Sequence, residues 1–332
     1  MHFPVSRRGL LTAGVGGLSL GLLTACGLRL DQDPEIPTLD ATQQLRNRLA
    51  RILDSASPGT GDPETAGENL ADFAAAIGPE WNPPTEFATE APPTEKNRTF
   101  LQAAEVASRA VFEASASLGS DLIPVLADVA TGLALVAGTK KPEIITTAGE
   151  LILAGREELD QSRDGGDDAT ASPSATGGAD ADAGTDDSGS QDPKGRAEMF
   201  NAILNQSRAA AYGYERLAVN FDSKSRERKA ALARLESLGA LSGEMLERLG
   251  EDAADPAASA WKLDPIPTDA DSAKELALSL EDGIASALLP WLEADASAIL
   301  RLWESARNRM VFAAPQPLRF TYDEPGQAEV QE

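Results

Sequence analysis

The chain has one histidine, His2, and one cysteine, Cys26, so its set of reactive side chains is narrow. Imidazole is the commonest general base and transition-metal ligand, and thiolate is a nucleophile and a soft metal ligand. Beyond residue 26 the chain therefore relies on carboxylate, lysine, tyrosine and hydroxyl groups. Such groups can bind hard cations, but their spacing matches no catalytic motif. We expect a protein that is not an enzyme and holds no cofactor.

Cys26 follows Leu23, Thr24 and Ala25, and these four residues resemble the box at which bacterial lipoproteins are cleaved and acylated. Cleavage before Cys26 leaves its thiol to carry diacylglycerol, which predicts attachment to the lipid bilayer through acylated Cys26. Acylation also uses the last thiol, so the mature chain has none for a disulfide or a metal site. The alternative is a cleaved signal without a lipid, in which Cys26 is incidental.

Arg7 and Arg8 precede an apolar, glycine-rich segment that spans residues 9–25. This order resembles signals of the twin-arginine translocase and predicts a signal peptide over residues 1–25. The two arginines also suit an ordinary positive n-region, so the export route stays open. The segment is short and made mostly of small side chains, which disfavours an uncleaved membrane span.

The charge of the chain is strongly acidic, with 53 Asp and Glu against 29 Lys and Arg and a formal net charge of −24. Loss of Arg7 and Arg8 with the signal makes the mature chain more acidic still. Binding to nucleic acid or to an anionic membrane surface needs a basic face, so we expect neither.

Composition divides the rest of the chain into five parts. Proline and acids without periodicity predict a tether at 26–38, and residues 162–195, rich in Gly, Ser, Asp and Ala, predict a disordered linker. The parts at 39–161 and 196–314 are dominated by Ala, Leu, Glu and Arg with apolar residues three or four apart, which is typical of helices. The tail at 315–332 is predicted to be extended. The predicted fold class is all-α, without strands.

The apolar spacing predicts five helices before the linker and five after it. They span 39–55, 70–77, 99–117, 122–137 and 143–159, then 197–219, 225–238, 242–249, 272–289 and 292–312. Residues 122–138 are apolar almost all round, but Pro124 and Asp128 interrupt them, which favours a buried core helix over a membrane span.

Local signals set several of these boundaries. Gly239 predicts the end of one helix, and Pro290 predicts a kink or break before the last helix resumes at Leu292. Asp269 or Asp271 is predicted to cap the helix that follows. Long helices with mostly short connections indicate an antiparallel bundle.

The second helical part, residues 196–314, resembles the ferritin-like domain of unknown function in exported actinobacterial lipoproteins. The resemblance rests on residues 200–215, 226–239, 273–283 and 303–306, and its most specific stretch is Ala211-Tyr212-Gly213-Tyr214. It implies an antiparallel four-helix bundle of ferritin type for this part, with the first helical part as an addition, and it implies no activity.

Metal centres in that architecture use a Glu from two helices and Glu-x-x-His from two others. The candidate motifs here begin at Glu227, Glu236 and Glu304, but Ala230, Gly239 and Arg307 occupy the histidine positions. Glu215, Glu281 and Glu304 could converge on a hard cation, although we interpret them as parts of solvated helix faces. Gln206 stands where members of the family often carry an acid. We therefore expect no metal site and a near-neutral effect of replacing those three glutamates by glutamine.

Four aromatic residues are interpreted as structural. Tyr212 and Tyr214 are two residues apart, so they face different sides of a helix, one in the core with its hydroxyl bonded and one at the rim. Gly213 between them allows a close approach of another helix. Trp291 and Trp303 are expected to seat the last two helices.

These observations predict a lipoprotein on the outer face of the cell membrane with a non-catalytic helical bundle. A binding or assembly role with an unknown envelope protein follows from a tether attached to an inert bundle. Two alternatives remain: a carboxylate-only metal-binding protein or enzyme that is exported folded, and a lipoprotein that binds a small molecule.

Overall fold

The computed structural model describes residues 39–82, 93–164, 193–250 and 252–313. The predicted signal peptide, Cys26, the tether at 26–38, most of the linker and the tail at 315–332 lie outside the described residues. Within the described ranges the chain forms nine α-helices. They are α1 (Ala41–Asp54), α2 (Ala66–Ile77), α3 (Phe100–Glu113), α4 (Ile123–Gly138), α5 (Glu143–Asp164), α6 (Pro193–Leu217), α7 (Arg226–Leu249), α8 (Ala270–Ala294) and α9 (Ile299–Phe312).

The two ends of the predicted linker are helical. Helix α5 continues to Asp164 and α6 begins at Pro193, so each helix extends a few residues into the range 162–195. Proline is well suited to the first turn of a helix, because its missing N–H is one that the helix leaves unpaired there.

Over the residues that the structure describes, the fold is all-α, as predicted, apart from one small ladder. Two strands of two residues each, β1 (Ala56–Ser57) and β2 (Arg98–Thr99), pair in parallel with Ala56 opposite Arg98. The prediction that the chain has no strands is corrected to this extent. Pairs this short carry no alternating pattern, so the sequence held no signal for them.

Reciprocal capping boxes begin three of the described helices. Asp40 and Thr99 each form a reciprocal capping box at the starts of α1 and α3. At the start of α8 the cap is Asp269, whose carboxylate accepts a hydrogen bond from the backbone N–H of Ser272 at 2.9 Å. Of the two predicted caps, Asp269 is therefore confirmed, because it satisfies a backbone donor that the first turn leaves free.

The predicted break at Gly239 is wrong, because α7 runs through it as one helix to Leu249. Gly239 faces solvent, whereas Leu238, Leu241 and Met245 are buried and hold the helix across it. The actual end is Gly250, whose φ of +74° a residue with a side chain rarely adopts.

Of the kink or break predicted at Pro290, the break is also wrong. Helix α8 continues past Pro290 to Ala294, and the interruption comes at Asp295, four residues before α9 begins at Ile299. Proline removes one hydrogen bond, but Leu288, Trp291 and Leu292 are buried, and their packing holds the final turn.

Helix α4 lies at the centre of the first helical part, where it packs against α2, α3 and α5. All but one of its residues are buried, which confirms the predicted core helix. No helix in the described ranges is both long enough and apolar enough to be a candidate membrane span.

In the second part, α6 packs on α7 and α8, and α9 packs on α8 and α7, so the four helices make a closed ring of contacts. The two parts also contact each other, since α4 packs against α8 and α9, and α5 against α9. Their apolar side chains belong to one hydrophobic core. At this junction the rings of Phe112 on α3 and Trp303 on α9 form a T-shaped pair, with centroids 5.9 Å apart.

Candidate functional site

A buried ion pair lies between the helices of the second part. Glu281 on α8 is 1% exposed and Arg234 on α7 is 4% exposed. The guanidinium Nε and Nη2 of Arg234 donate to Oε1 and Oε2 of Glu281 at 2.9 and 2.7 Å. This two-pronged geometry pairs both charges in a place where either alone would be costly.

Tyr214 on α6 and Asn308 on α9 complete the group around the carboxylate. The hydroxyl of Tyr214 donates to Oε1 of Glu281 at 2.7 Å. The amide of Asn308 donates to Oε1 of Glu281 at 2.8 Å and to the tyrosine oxygen at 2.5 Å. Each of the four helices thus contributes one residue to what we call the Glu281 network: Tyr214, Arg234, Glu281 and Asn308.

Burial and charge set the protonation of this network. Burial raises the pKa of Tyr214 well above its ordinary value, and the adjacent charge of Glu281 raises it further. Burial alone would lower the pKa of Arg234, but the charge and hydrogen bonds of Glu281 outweigh it and the pKa is raised. Tyr214 is therefore a neutral donor and Arg234 a fixed cation, and neither exchanges protons near neutral pH.

The three glutamates considered from the sequence end up in three different environments. Glu281 is buried, so its interpretation as part of a solvated face is wrong. Glu304 is half-buried, accepts a hydrogen bond from Arg301 at 2.9 Å and lies 3.9 Å from Arg234. Glu215 is exposed and contacts neither Glu281 nor Glu304. We therefore no longer expect the replacement of all three glutamates by glutamine to be near-neutral. Glu281→Gln would leave Arg234 buried without its counter-ion.

This set of donors does not fit a di-iron or dimanganese centre. The carboxylate of Glu281 already accepts four hydrogen bonds, and a fixed guanidinium stands where a cation would have to bind. Throughout the described part of the chain, no three Asp, Glu, His or Cys side chains form a group that could hold a metal ion. Gln206 of α6 packs against Gly283 of α8.

A second charged group, which the sequence analysis missed, joins the two helical parts. Glu244 on α7 accepts hydrogen bonds from Arg156 of α5 at 2.8 Å and from Arg301 of α9 at 2.7 Å. Arg248, one turn further along α7, donates to it at 3.1 Å. Only the pair Glu244 and Arg248 has a spacing that sequence could reveal.

The pKa of Glu244 reflects these partners. Partial burial alone would raise it, but the charges and hydrogen bonds of Arg301 and Arg156 outweigh burial, so the pKa lies below its ordinary value. Arg301 also contacts Glu304, which in turn approaches Arg234. A continuous chain of charges therefore leads from α5 to the Glu281 network.

The aromatic predictions agree with the structure. Tyr214 is buried, and its hydroxyl is bonded within the Glu281 network, whereas Tyr212 lies at the rim beside Trp261 with ring centroids 5.7 Å apart. A Cβ on Gly213 would meet Leu280 of α8 at 2.5 Å, so the predicted close approach of a helix is present. Both Trp291 and Trp303 are buried in the core.

A groove of about 300 Å³ runs along the outside of the network between α7 and α9. Its lining residues come from both helices: Ala230, Ala233, Arg234, Ser237, Glu304, Arg307, Asn308 and Val311. Arg234 and Asn308 thus belong both to the buried network and to the wall of an open groove. The sequence carried no signal for this groove, because it needs two helices placed side by side.

Comparison of the chain with protein-family models, with curated proteins and with solved structures finds no match.

Proposed function

We propose that the protein is an envelope lipoprotein whose helical bundle binds or assembles other components and does not catalyse a reaction. Acylated Cys26 would hold it on the outer face of the cell membrane after export through a signal that contains Arg7 and Arg8. The support for this anchor is the order of residues in the chain, with the only cysteine placed directly after Leu23, Thr24 and Ala25.

We also propose that α6 to α9 form a four-helix bundle of ferritin type, as in exported actinobacterial lipoproteins that carry such a domain. The closed ring of contacts among these helices supports the proposal. So does the position of the Glu281 network, which draws one side chain from each helix, as the metal centres of that architecture do.

One observation carries the non-catalytic assignment: the buried carboxylate at the centre of these four helices is neutralised by Arg234. A metal or acid–base centre needs a carboxylate that can bind a cation or a proton, and Glu281 is committed to four donors. In this proposal the ion pair occupies the place of a metal centre and holds the helices in register.

The anchor is tested by cell fractionation of the Cys26→Ser variant. Wild-type protein should be found in the membrane fraction and should incorporate labelled lipid. The variant should be released or should persist as an unprocessed precursor. Incorporation of lipid into the variant would contradict the proposed attachment site.

The rival carboxylate-only metal protein is tested by elemental analysis of the mature protein, purified from metal-replete cells and dialysed. We expect far less than one iron or manganese per chain. The control is Glu236→Gln, which lies on the exposed side of α7. The non-catalytic assignment would be overturned if the protein held near-stoichiometric metal that was lost in Glu304→Gln and retained in Glu236→Gln.

A further inference from the structure

The groove between α7 and α9 has one polar end and one apolar end. The two helices run antiparallel across it, because Glu304 approaches Arg234 whereas Arg301, earlier in α9, contacts Glu244 further along α7. Ala230 and Val311 therefore lie toward one end, and Ser237 and Glu304 toward the other. A ligand that follows this groove meets charge at one end and hydrocarbon at the other.

Two guanidinium groups supply the charge at the polar end. Arg234 is held rigidly by Glu281, and its Nη1 donates to Ser237 at 3.1 Å. Oε2 of Glu304 lies 3.9 Å from the same nitrogen, beyond hydrogen-bond distance, so Nη1 has one further N–H to donate. Arg307 lines the same groove from α9, and within the described ranges its guanidinium has no ion-pair partner. Arg234 is a preorganised donor, so a ligand would lose little entropy in using it.

The balance of charge favours a monoanion. The charged residues that line the groove are Arg234, Glu304 and Arg307, which together carry one net positive charge. Glu281 beneath Arg234 and Arg301 beside Glu304 offset each other, and Glu244, which shares Arg301, is also paired with Arg156 and Arg248. A dianion such as a phosphate monoester would be repelled by Glu304, whereas a carboxylate places a single charge against the arginines.

We infer that this groove binds a small amphipathic carboxylate, with its head against Arg307 and Nη1 of Arg234 and its apolar body along Ala230, Ala233 and Val311. The volume of about 300 Å³ lies at the small end of ligand pockets, which fits a short acyl or aryl acid. This site goes beyond the proposed function, because neither the lipid anchor nor the absence of catalysis requires it.

The inference is tested by calorimetric titration of the full-length chain with octanoate, compared with octylammonium and with octanol. Octanoate should bind saturably with a dissociation constant on the order of 1 mM or tighter, because few non-hydrogen atoms limit its affinity. Octanol should bind more weakly than octanoate, since it lacks the charge that the arginines attract. Octylammonium should not bind, since Arg307 repels its positive charge.

Two variants locate the site at its two ends. Arg307→Gln removes the exposed guanidinium and should weaken octanoate binding about tenfold, the loss of one charge-assisted contact. Ala230→Phe fills the apolar end of the groove and should weaken octanoate binding to a similar degree. Arg196→Gln, an exposed arginine at the start of α6, is the matched control and should leave binding unchanged.

Arg307 is exposed, so its variant should keep the wild-type melting temperature, and a change in binding then reports on the groove. Three results would overturn the inference. They are octylammonium binding as strong as octanoate binding, no saturable octanoate binding, and equal octanoate affinity in Arg307→Gln and wild type. None of these results bears on membrane attachment or metal content, so the proposed function is tested separately.

Discussion

Arg234 and Glu281 lie 47 residues apart in sequence, yet their side chains make two parallel hydrogen bonds of 2.9 and 2.7 Å in the core of the second helical part. The pair joins α7 to α8, and Tyr214 and Asn308 attach α6 and α9 to the same carboxylate. A buried pair of this kind adds little net stability, because desolvation offsets much of the attraction.

Removal of one member of the pair should be more harmful than removal of both. Arg234→Met and Glu281→Gln should each lower the free energy of unfolding by about 3–5 kcal/mol, because each leaves a buried group without its partner. The double variant should recover most of this loss, since the amide oxygen of the introduced glutamine can still accept from Tyr214. Urea unfolding followed by circular dichroism measures all three, and additive losses in the double variant would contradict this account.

Two glycines inside helices should respond in opposite directions to alanine. Gly213→Ala would place a methyl group 2.5 Å from Leu280, and we expect it to destabilise the protein by about 1–3 kcal/mol despite its better helix propensity. Gly239 has open space around its Cβ position, so Gly239→Ala should stabilise by up to about 1 kcal/mol. The same unfolding assay compares them, and equal effects would show that α6 and α8 are not in close contact.

The contribution of Glu244 should depend on pH. Its pKa is lowered in the folded protein, so the unfolded chain binds its proton more readily. The stabilisation is therefore complete above the ordinary glutamate pKa of about 4.3 and is lost as pH falls through the lowered folded value. The melting temperature of Glu244→Gln should lie well below that of wild type at pH 7, and the difference should shrink at acidic pH.

Glu236→Gln is the control for this pH series, because Glu236 is an exposed glutamate on the same helix. Its melting temperature should follow that of wild type at every pH. The wild-type protein and both variants should still lose stability in acid, because the pKa of Asp295 is lowered too. Burial would raise this pKa, but hydrogen bonds from Ser297 and the charge of Arg163 outweigh burial. A difference between Glu244→Gln and wild type that stays constant with pH would exclude the ionic role.

Trp303 should be essential for the junction of the two helical parts. Trp303→Ala removes a buried ring that meets Phe112, and we expect a loss of about 3–5 kcal/mol. Trp261 is only half-buried beside Tyr212, so Trp261→Ala should lower the free energy of unfolding much less. Thermal unfolding followed by near- and far-ultraviolet circular dichroism should remain one transition in both variants, and a separate early transition in Trp303→Ala would show that the two parts fold independently.

The sequence alone predicted most of the helices, the burial of α4, the cap at Asp269, and a core position for one of Tyr212 and Tyr214 with a rim position for the other. Each depends on periodicity or on a local hydrogen bond, and both are set within a few residues of chain. The errors at Gly239 and Pro290 have the opposite origin, because in both cases buried neighbours along the same helix outweigh a local preference for a break.

By itself, then, the sequence determined the all-α class, the positions of most helices and the scarcity of imidazole and thiol, because composition and periodicity are properties of the chain. Tertiary structure alone decided the role of Glu281, the partners of Glu244 and the groove that contains Arg307. A carboxylate on a helix has the same local pattern whether it faces water or a guanidinium. Only the packing of α6 to α9 determines which of these partners it has, through the loss of water and the approach of a side chain from a distant part of the chain.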